Sequence, residues 1–157
     1  MTAARVVWPD TGDQDPPRGH RYAAVCWLLG RHQQLSDVAA RIPGAIGVDT
    51  DGPYQDLGVL AEAINGVHIH AKAWADYEYR CPPPSDESAY DRWVDAGPTA
   101  TPAVKAFGVL SSGEKARLRM LALFGTNRVS VTVCDFSCLD DDGRGLLADW
   151  CQAVQTQ

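Results

Sequence analysis

Val67-His68-Ile69-His70-Ala71-Lys72-Ala73-Trp74 alternates residue by residue, with Val67, Ile69, Ala71 and Ala73 on one side and His68, His70, Lys72 and Trp74 on the other. A period of two is that of a half-buried strand, whereas an amphipathic helix repeats every 3.6 residues. The stretch is therefore read as a strand, with Tyr77–Arg80 as a hairpin partner across a turn at Ala75-Asp76. Arg128–Phe136 alternates in the same way, with Val129, Val131 and Val133 to one side. Each stretch has one apolar and one polar side, which predicts a sheet covered by helices on one face only.

Around these strands the sequence reads as helix. Tyr22, Val25, Cys26, Leu28 and Leu29 make an almost all-round apolar helix, and Ser36 or Asp37 can cap a short second one that ends at Pro43-Gly44. A turn rich in Gly and Asp, GVDTDGP, leads to a third helix over Tyr54–Ile64, stopped at Asn65-Gly66 as a left-handed cap would stop it. Ser111 and Glu114 have the spacing of a capping box. The helix they open turns Leu118, Leu121, Ala122 and Phe124 inward and leaves Lys115, Arg117 and Arg119 more exposed. Asp140–Asp142 can cap a last helix bearing Leu146, Leu147, Trp150, Cys151 and Val154.

The expected fold class is α+β: an N-terminal helical cluster and a small, mostly antiparallel sheet covered on one face by C-terminal helices. Residues 9–19 gather Pro, Gly and Asp and are read as a leader or loop that follows a short strand at Arg5–Trp8, so that 1–19 as a whole is a flexible leader. Residues 20–157 form one domain, interrupted at 81–102 by a Pro-rich loop (Pro82, Pro83, Pro84, Pro98, Pro102) holding one helical turn.

Composition narrows the function classes. With 157 residues, 45% of them hydrophobic and 22% charged, the chain has the make-up of one ordinary globular domain. No apolar stretch approaches the ~20 residues that span a bilayer, and no basic start leads into an apolar run, so a soluble protein of the cytoplasm is expected, without membrane contact. The five cysteines are an odd set, three of them in apolar patterns, and are read as free thiols of a reducing compartment. Eleven arginines against three lysines, with abundant Ala and Gly, point to a GC-rich bacterial or phage genome.

A net charge of −6 disfavours a nucleic-acid partner, because phosphate affinity comes from neutralising cations. The charge is blocked, however: residues 18–41 carry +3 and 105–128 carry +4, while 49–62, 76–95 and 135–149 each carry −4. The order helix, helix, helix, strand, strand over 20–80 is that of a winged helix, yet its third helix bears Asp56 and Glu62 and no basic residue.

Leu110–Leu118 resembles the signature of ABC ATPases over nine residues, but the phosphate cradle G-x-x-x-x-G-K-[ST] is absent, and a capped helix accounts for the same letters. Cys138–Arg144 resembles a calcium loop. Both registers fail, since Cys138 or Arg144 falls where a carboxylate is required. Cys134 and Cys138 with His68 and His70 supply four zinc-type ligands at a spacing that is not diagnostic. No nucleophile elbow G-x-S-x-G occurs. No metal or other cofactor is expected.

The remaining candidate is the polar side of the sheet. His68, His70 and Lys72 on one strand and Arg128, Ser130 and Thr132 on the other would share a face if the strands were neighbours. The expectation is a non-catalytic binding protein, an accessory, inhibitory or assembly component acting on a protein partner through such a face. A nucleic-acid-binding regulator of winged-helix type and a small enzyme with an unrecognised site are the alternatives.

Overall fold

The computed structural model describes residues 5–157. In chain order its elements are α1 (Arg21–Arg31), α2 (Gln33–Ala39), β1 (Ile46–Asp49), β2 (Gly52–Gln55), α3 (Leu57–Arg80), α4 (Glu87–Asp95), α5 (Pro102–Gly108), α6 (Ser112–Ala122), α7 (Val133–Ser137) and α8 (Asp141–Gln155). The fold is α+β, helices packed on a small antiparallel sheet. That sheet is one hairpin, and α1 meets it where the Tyr22 hydroxyl accepts a hydrogen bond from the Gln55 N–H at 3.0 Å.

The core follows the apolar stripes. On α1 the buried side chains are Ala24, Val25, Trp27, Leu28 and Leu29, and His20 caps the helix by accepting from the Ala23 N–H through Nδ1. Ser111 and Glu114 form the expected reciprocal box at the start of α6, which buries Leu118, Met120 and Leu121. Asp140 caps α8, whose Trp150 reaches into the core and donates its indole N–H to the Met120 carbonyl at 2.8 Å. One contiguous hydrophobic cluster joins these helices and runs from Trp8 to Ala153.

Residues 5–19 lie along this cluster. Trp8 is buried and donates its indole N–H to Ser36 Oγ at 2.8 Å, and the Gln14 carbonyl accepts from the Trp27 indole at 2.9 Å. No strand forms over the described residues Arg5–Trp8.

Both expected strands are corrected. Val67–Trp74 and Tyr77–Arg80 belong to α3, a single helix of 24 residues. Asn65-Gly66 does not end it, because Gly66 is a contact and not a cap: a Cβ there would lie 2.3 Å from Val104 Cγ2 on α5. Beyond it Ala71, Lys72, Ala73 and Ala75 are strong helix formers, and they override a four-position alternation. Arg128–Phe136 is not a strand either: Arg128 lies in a turn, 129–132 have no regular secondary structure, with Val129 buried, and α7 starts at Val133. Asp135 Oδ2 accepts from both the N–H and the hydroxyl of Thr132, which closes the first turn.

The sheet lies instead in the segment read as a turn. Ile46 pairs with Gln55, Gly47 with Tyr54, Val48 with Pro53 and Asp49 with Gly52, leaving Thr50-Asp51 as a two-residue loop. Gly52 has φ +115, open only to glycine, and a Cβ on Gly47 would strike the Tyr54 ring at 2.3 Å. The hairpin therefore precedes the third long helix, and the element order of a winged helix does not occur.

Two burial expectations are also corrected. Arg117 is buried and not exposed, and Cys134, which would alternate with Val133 and Asp135 in the expected strand, is exposed on α7. The segment 81–102 holds more than one helical turn, since α4 has nine residues.

Candidate interaction surface

The six residues expected to share a sheet face fall on two elements. His68, His70 and Lys72 lie at every second position of α3, where His68 and Lys72 are exposed and His70 is half-buried. Arg128, Ser130 and Thr132 lie in the linker between α6 and α7, all exposed, with Arg128 in a turn and Thr132 engaged in the α7 cap. The neighbouring strands that would have merged the two sets do not exist, and among the described residues no hydrogen bond or ion pair joins them. His70 alone of the six belongs to a larger constellation.

That constellation is built on an arm. The buried residues of α3, Leu60, Ala61, Ala63 and Ile64, lie in its first two turns. From Asn65 to Arg80 the helix runs on for about 24 Å at 1.5 Å per residue with nothing buried. The chain then turns through the prolines and comes back as α4, which buries no residue either. Asp86 caps α4 by accepting from the Ala89 N–H at 2.9 Å.

Aromatic rings hold the two limbs together. His70, Trp74 and Tyr77 recur at i, i+4 and i+7 on α3, and Trp93 of α4 packs into this row. Ring centroids lie 5.6 Å apart for Trp74–Trp93, 5.1 Å for Tyr77–Trp93 and 5.5 Å for Tyr90–Trp93. The Trp93 indole donates to the Cys81 carbonyl at 2.7 Å, and the Tyr77 hydroxyl donates to the Trp93 carbonyl at 3.0 Å. The Trp74 indole N–H donates to His70 Nε2 at 3.0 Å. Gly97 lets the returning chain approach, because a Cβ there would lie 2.5 Å from the Trp74 ring.

The outside of this arm is apolar and acidic. Tyr90 and Val94 are exposed on α4, as are Ile69 and Tyr79 on α3, the last at 89%. Between residues 76 and 95 there are six carboxylates, Asp76, Glu78, Asp86, Glu87, Asp91 and Asp95, against Arg80 and Arg92. None of the six enters an ion pair among the described residues.

Elsewhere the charges meet. Asp149 accepts from Arg31 at 3.0 Å and from His32 Nε2 at 2.7 Å, tying α8 to the α1–α2 junction. Arg117 pairs with Asp140 at 2.6 Å, Arg119 with Asp135 at 2.8 Å, and Arg41 with Glu114. Arg31, Arg41, Arg117 and Arg119 of the two basic blocks are thus neutralised by carboxylates, which weakens the electrostatic basis of phosphate binding at these four arginines, while Arg18, Arg21, Lys105, Lys115 and Arg128 enter no ion pair among the described residues.

Hydrogen bonds from the Ser111 N–H, and then Arg41, hold the Glu114 carboxyl below its ordinary range; Arg5 and Gln33 do the same for Asp37. Burial pushes the Cys26 thiol up, away from the thiolate a nucleophile needs. The recess beside His32, about 220 Å³, is lined by Arg31, Gln34, Arg117 and Asp142, and each of those is already bonded to another side chain. An apolar groove of about 340 Å³ between Arg21, Phe124 and Val154 holds no His, Cys or acid. Among the described residues no group of three or more His, Cys, Asp or Glu is placed to hold a metal, and no helix is long and apolar enough to cross a membrane.

The arm escaped the sequence reading because its cluster depends on where the chain returns. The signal available was the aromatic spacing itself, His70-Trp74-Tyr77 and Tyr90-Trp93, each at helical and not strand period. Comparison with known proteins brings no family: no family model, no curated protein and no solved structure matches this chain.

Proposed function

We propose that this chain is a non-catalytic binding protein that engages a protein partner through the α3–α4 arm, as an accessory, inhibitory or assembly component. One observation carries the reading. Five rings cluster between the distal half of α3 and α4, and no residue is buried past Ile64 on α3 or anywhere on α4. Aromatic side chains supply large contact area at little entropic cost and are enriched where proteins meet. A surface that pairs exposed Ile69, Tyr79, Tyr90 and Val94 with charge is that of a partner site more than of plain solvated helix.

Four exposed, unpaired thiols, Cys81, Cys134, Cys138 and Cys151, accord with a cytoplasmic, reducing setting. The nucleic-acid alternative loses support from the pairing of Arg31, Arg41, Arg117 and Arg119 with acids.

The test is quantitative affinity capture from the native host with the parent and with Tyr90→Ser and Tyr79→Ser together. Both residues are exposed, so the fold survives. The partner recovered with the parent drops out with the variant. Equal recovery by both proteins places the binding surface elsewhere.

A further inference from the structure

We propose that the occupant of the arm is a cationic, arginine-bearing segment of another protein, presented as an amphipathic helix; this rests on the reading of the arm as a binding surface. Charge complementarity is the first ground. The block 76–95 carries −4, and its six carboxylates are uncompensated by ion pairs within the described chain, whereas Asp135, Asp140 and Asp149 of the core each meet an arginine. Matching this surface takes positive charge from outside.

Geometry is the second ground. On α4, Glu87, Asp91 and Asp95 follow one another at i, i+4 and i+8, and Tyr90 and Val94 run beside them at the same spacing. A carboxylate row thus lies next to an apolar row. A helix with arginines at i and i+4, and leucine-like residues one turn position away, presents the reverse pattern at the same pitch.

Arginine suits the site better than lysine. Tyr77, Trp93 and Tyr90 form a ladder of rings inclined by only 32° and 30° to one another, open to solvent at Tyr90. A guanidinium can lie flat on such a face while bonding a carboxylate through its edge, which a compact ammonium cannot do. A second copy of this chain is a poor occupant, because a two-fold contact through the arm would set −4 against −4.

The test uses the full chain and a synthetic amphipathic helical peptide carrying arginines at i, i+4 and i+8 with leucines between. Two controls replace every arginine by citrulline, its neutral isostere, or by lysine. By calorimetry the arginine peptide binds at low salt and weakens by about tenfold or more between 50 and 300 mM salt, as screening of several ion pairs requires. The citrulline peptide binds at least about tenfold more weakly, and the lysine peptide falls between them. Glu87→Gln with Asp91→Asn and Asp95→Asn, all surface changes, abolishes most of the arginine peptide's advantage, and Tyr90→Ser removes the preference of arginine over lysine.

Equal binding of the arginine peptide by the parent and the charge-neutral variant overturns the proposal. A dimer of the free chain broken by the arm substitutions overturns it too. If the host partner is lost with Tyr79→Ser and Tyr90→Ser but kept with the charge-neutral variant at all salt concentrations, the arm remains the binding surface and only its cationic occupant is refuted.

Discussion

In the core, Leu28, Leu118 and Ala153 are wholly excluded from water, and Asp135, Asp140 and Asp149 at its margin each meet an arginine. In the arm, no residue of α3 past Ile64 and none of α4 is buried, the packing is ring against ring, and the carboxylates face solvent. Aliphatic burial scales with area and sets global stability. Aromatic pairs add about 0.5–1.5 kcal/mol each beyond their area and hold a shape with little interior. The difference teaches that the core keeps the fold and the arm keeps a surface. Substitutions in the two regions should therefore separate stability from binding.

The largest effect is expected in the core. Leu121→Ala and Trp150→Ala should each cost about 2–5 kcal/mol in urea unfolding, because both side chains are buried and the Trp150 indole also leaves the Met120 carbonyl without its donor. A cost under about 1 kcal/mol for both would show that α6 and α8 do not meet as described.

Next in size is the arm's own keystone. Trp93 touches Trp74, Tyr77 and Tyr90 and donates to Cys81, so Trp93→Ala should loosen α4 and the distal half of α3. The global unfolding free energy should change by no more than about 1 kcal/mol, since local opening need not pass through the core. Far-UV circular dichroism and hydrogen exchange read the two separately. A shift as large as that of Leu121→Ala would join the arm to the core.

The legibility of these two regions differs for the same reason. Helices α1, α6 and α8 were readable because a local stripe and a local cap agree: His20 aside, Ser111-x-x-Glu114 and Asp140 stand where the rules put them. The distal half of α3 was read as strand because Val67, Ile69, Ala71 and Ala73 alternate, and only the return of Trp93 shows that the governing period is His70-Trp74-Tyr77. Gly66 was read as a stop because a glycine's contact with Val104 is invisible without the fold. The hairpin is not legible because its strands are four residues each, too short to show a period. Of the candidate site, the alternation marks His70 and not the ring cluster around it.

A smaller effect is expected from pH. The folded-state carboxyls of Glu114 and Asp37 are lowered from ordinary values of 4.5 and 3.8. A lowered folded pKa means stabilisation that is fully present above the ordinary value and is lost as pH falls through the lowered one. Stability should therefore decline on the acid side of about pH 4.5, and Glu114→Gln should flatten that decline by about 1 kcal/mol or less, as partly exposed pairs do. An acid limb unchanged by Glu114→Gln would remove the capping box and Arg41 from the account.

The smallest effect belongs to the exposed residues outside both devices. Lys72→Ala with Arg128→Ala should change unfolding free energy by under about 0.5 kcal/mol, as exposed positions usually do, and should leave capture of the arm's partner intact. Loss of the partner in this pair would move the site toward the α3 face opposite the rings.

Hydrogen exchange of the chain, free and bound to the partner that it captures from its host, tests the assignment of binding to the arm most directly. Slowed exchange should be confined to residues 68–95, with α1, α6 and α8 unchanged. Protection centred on α1 and α8, with the arm exchanging as fast as in the free chain, would contradict it.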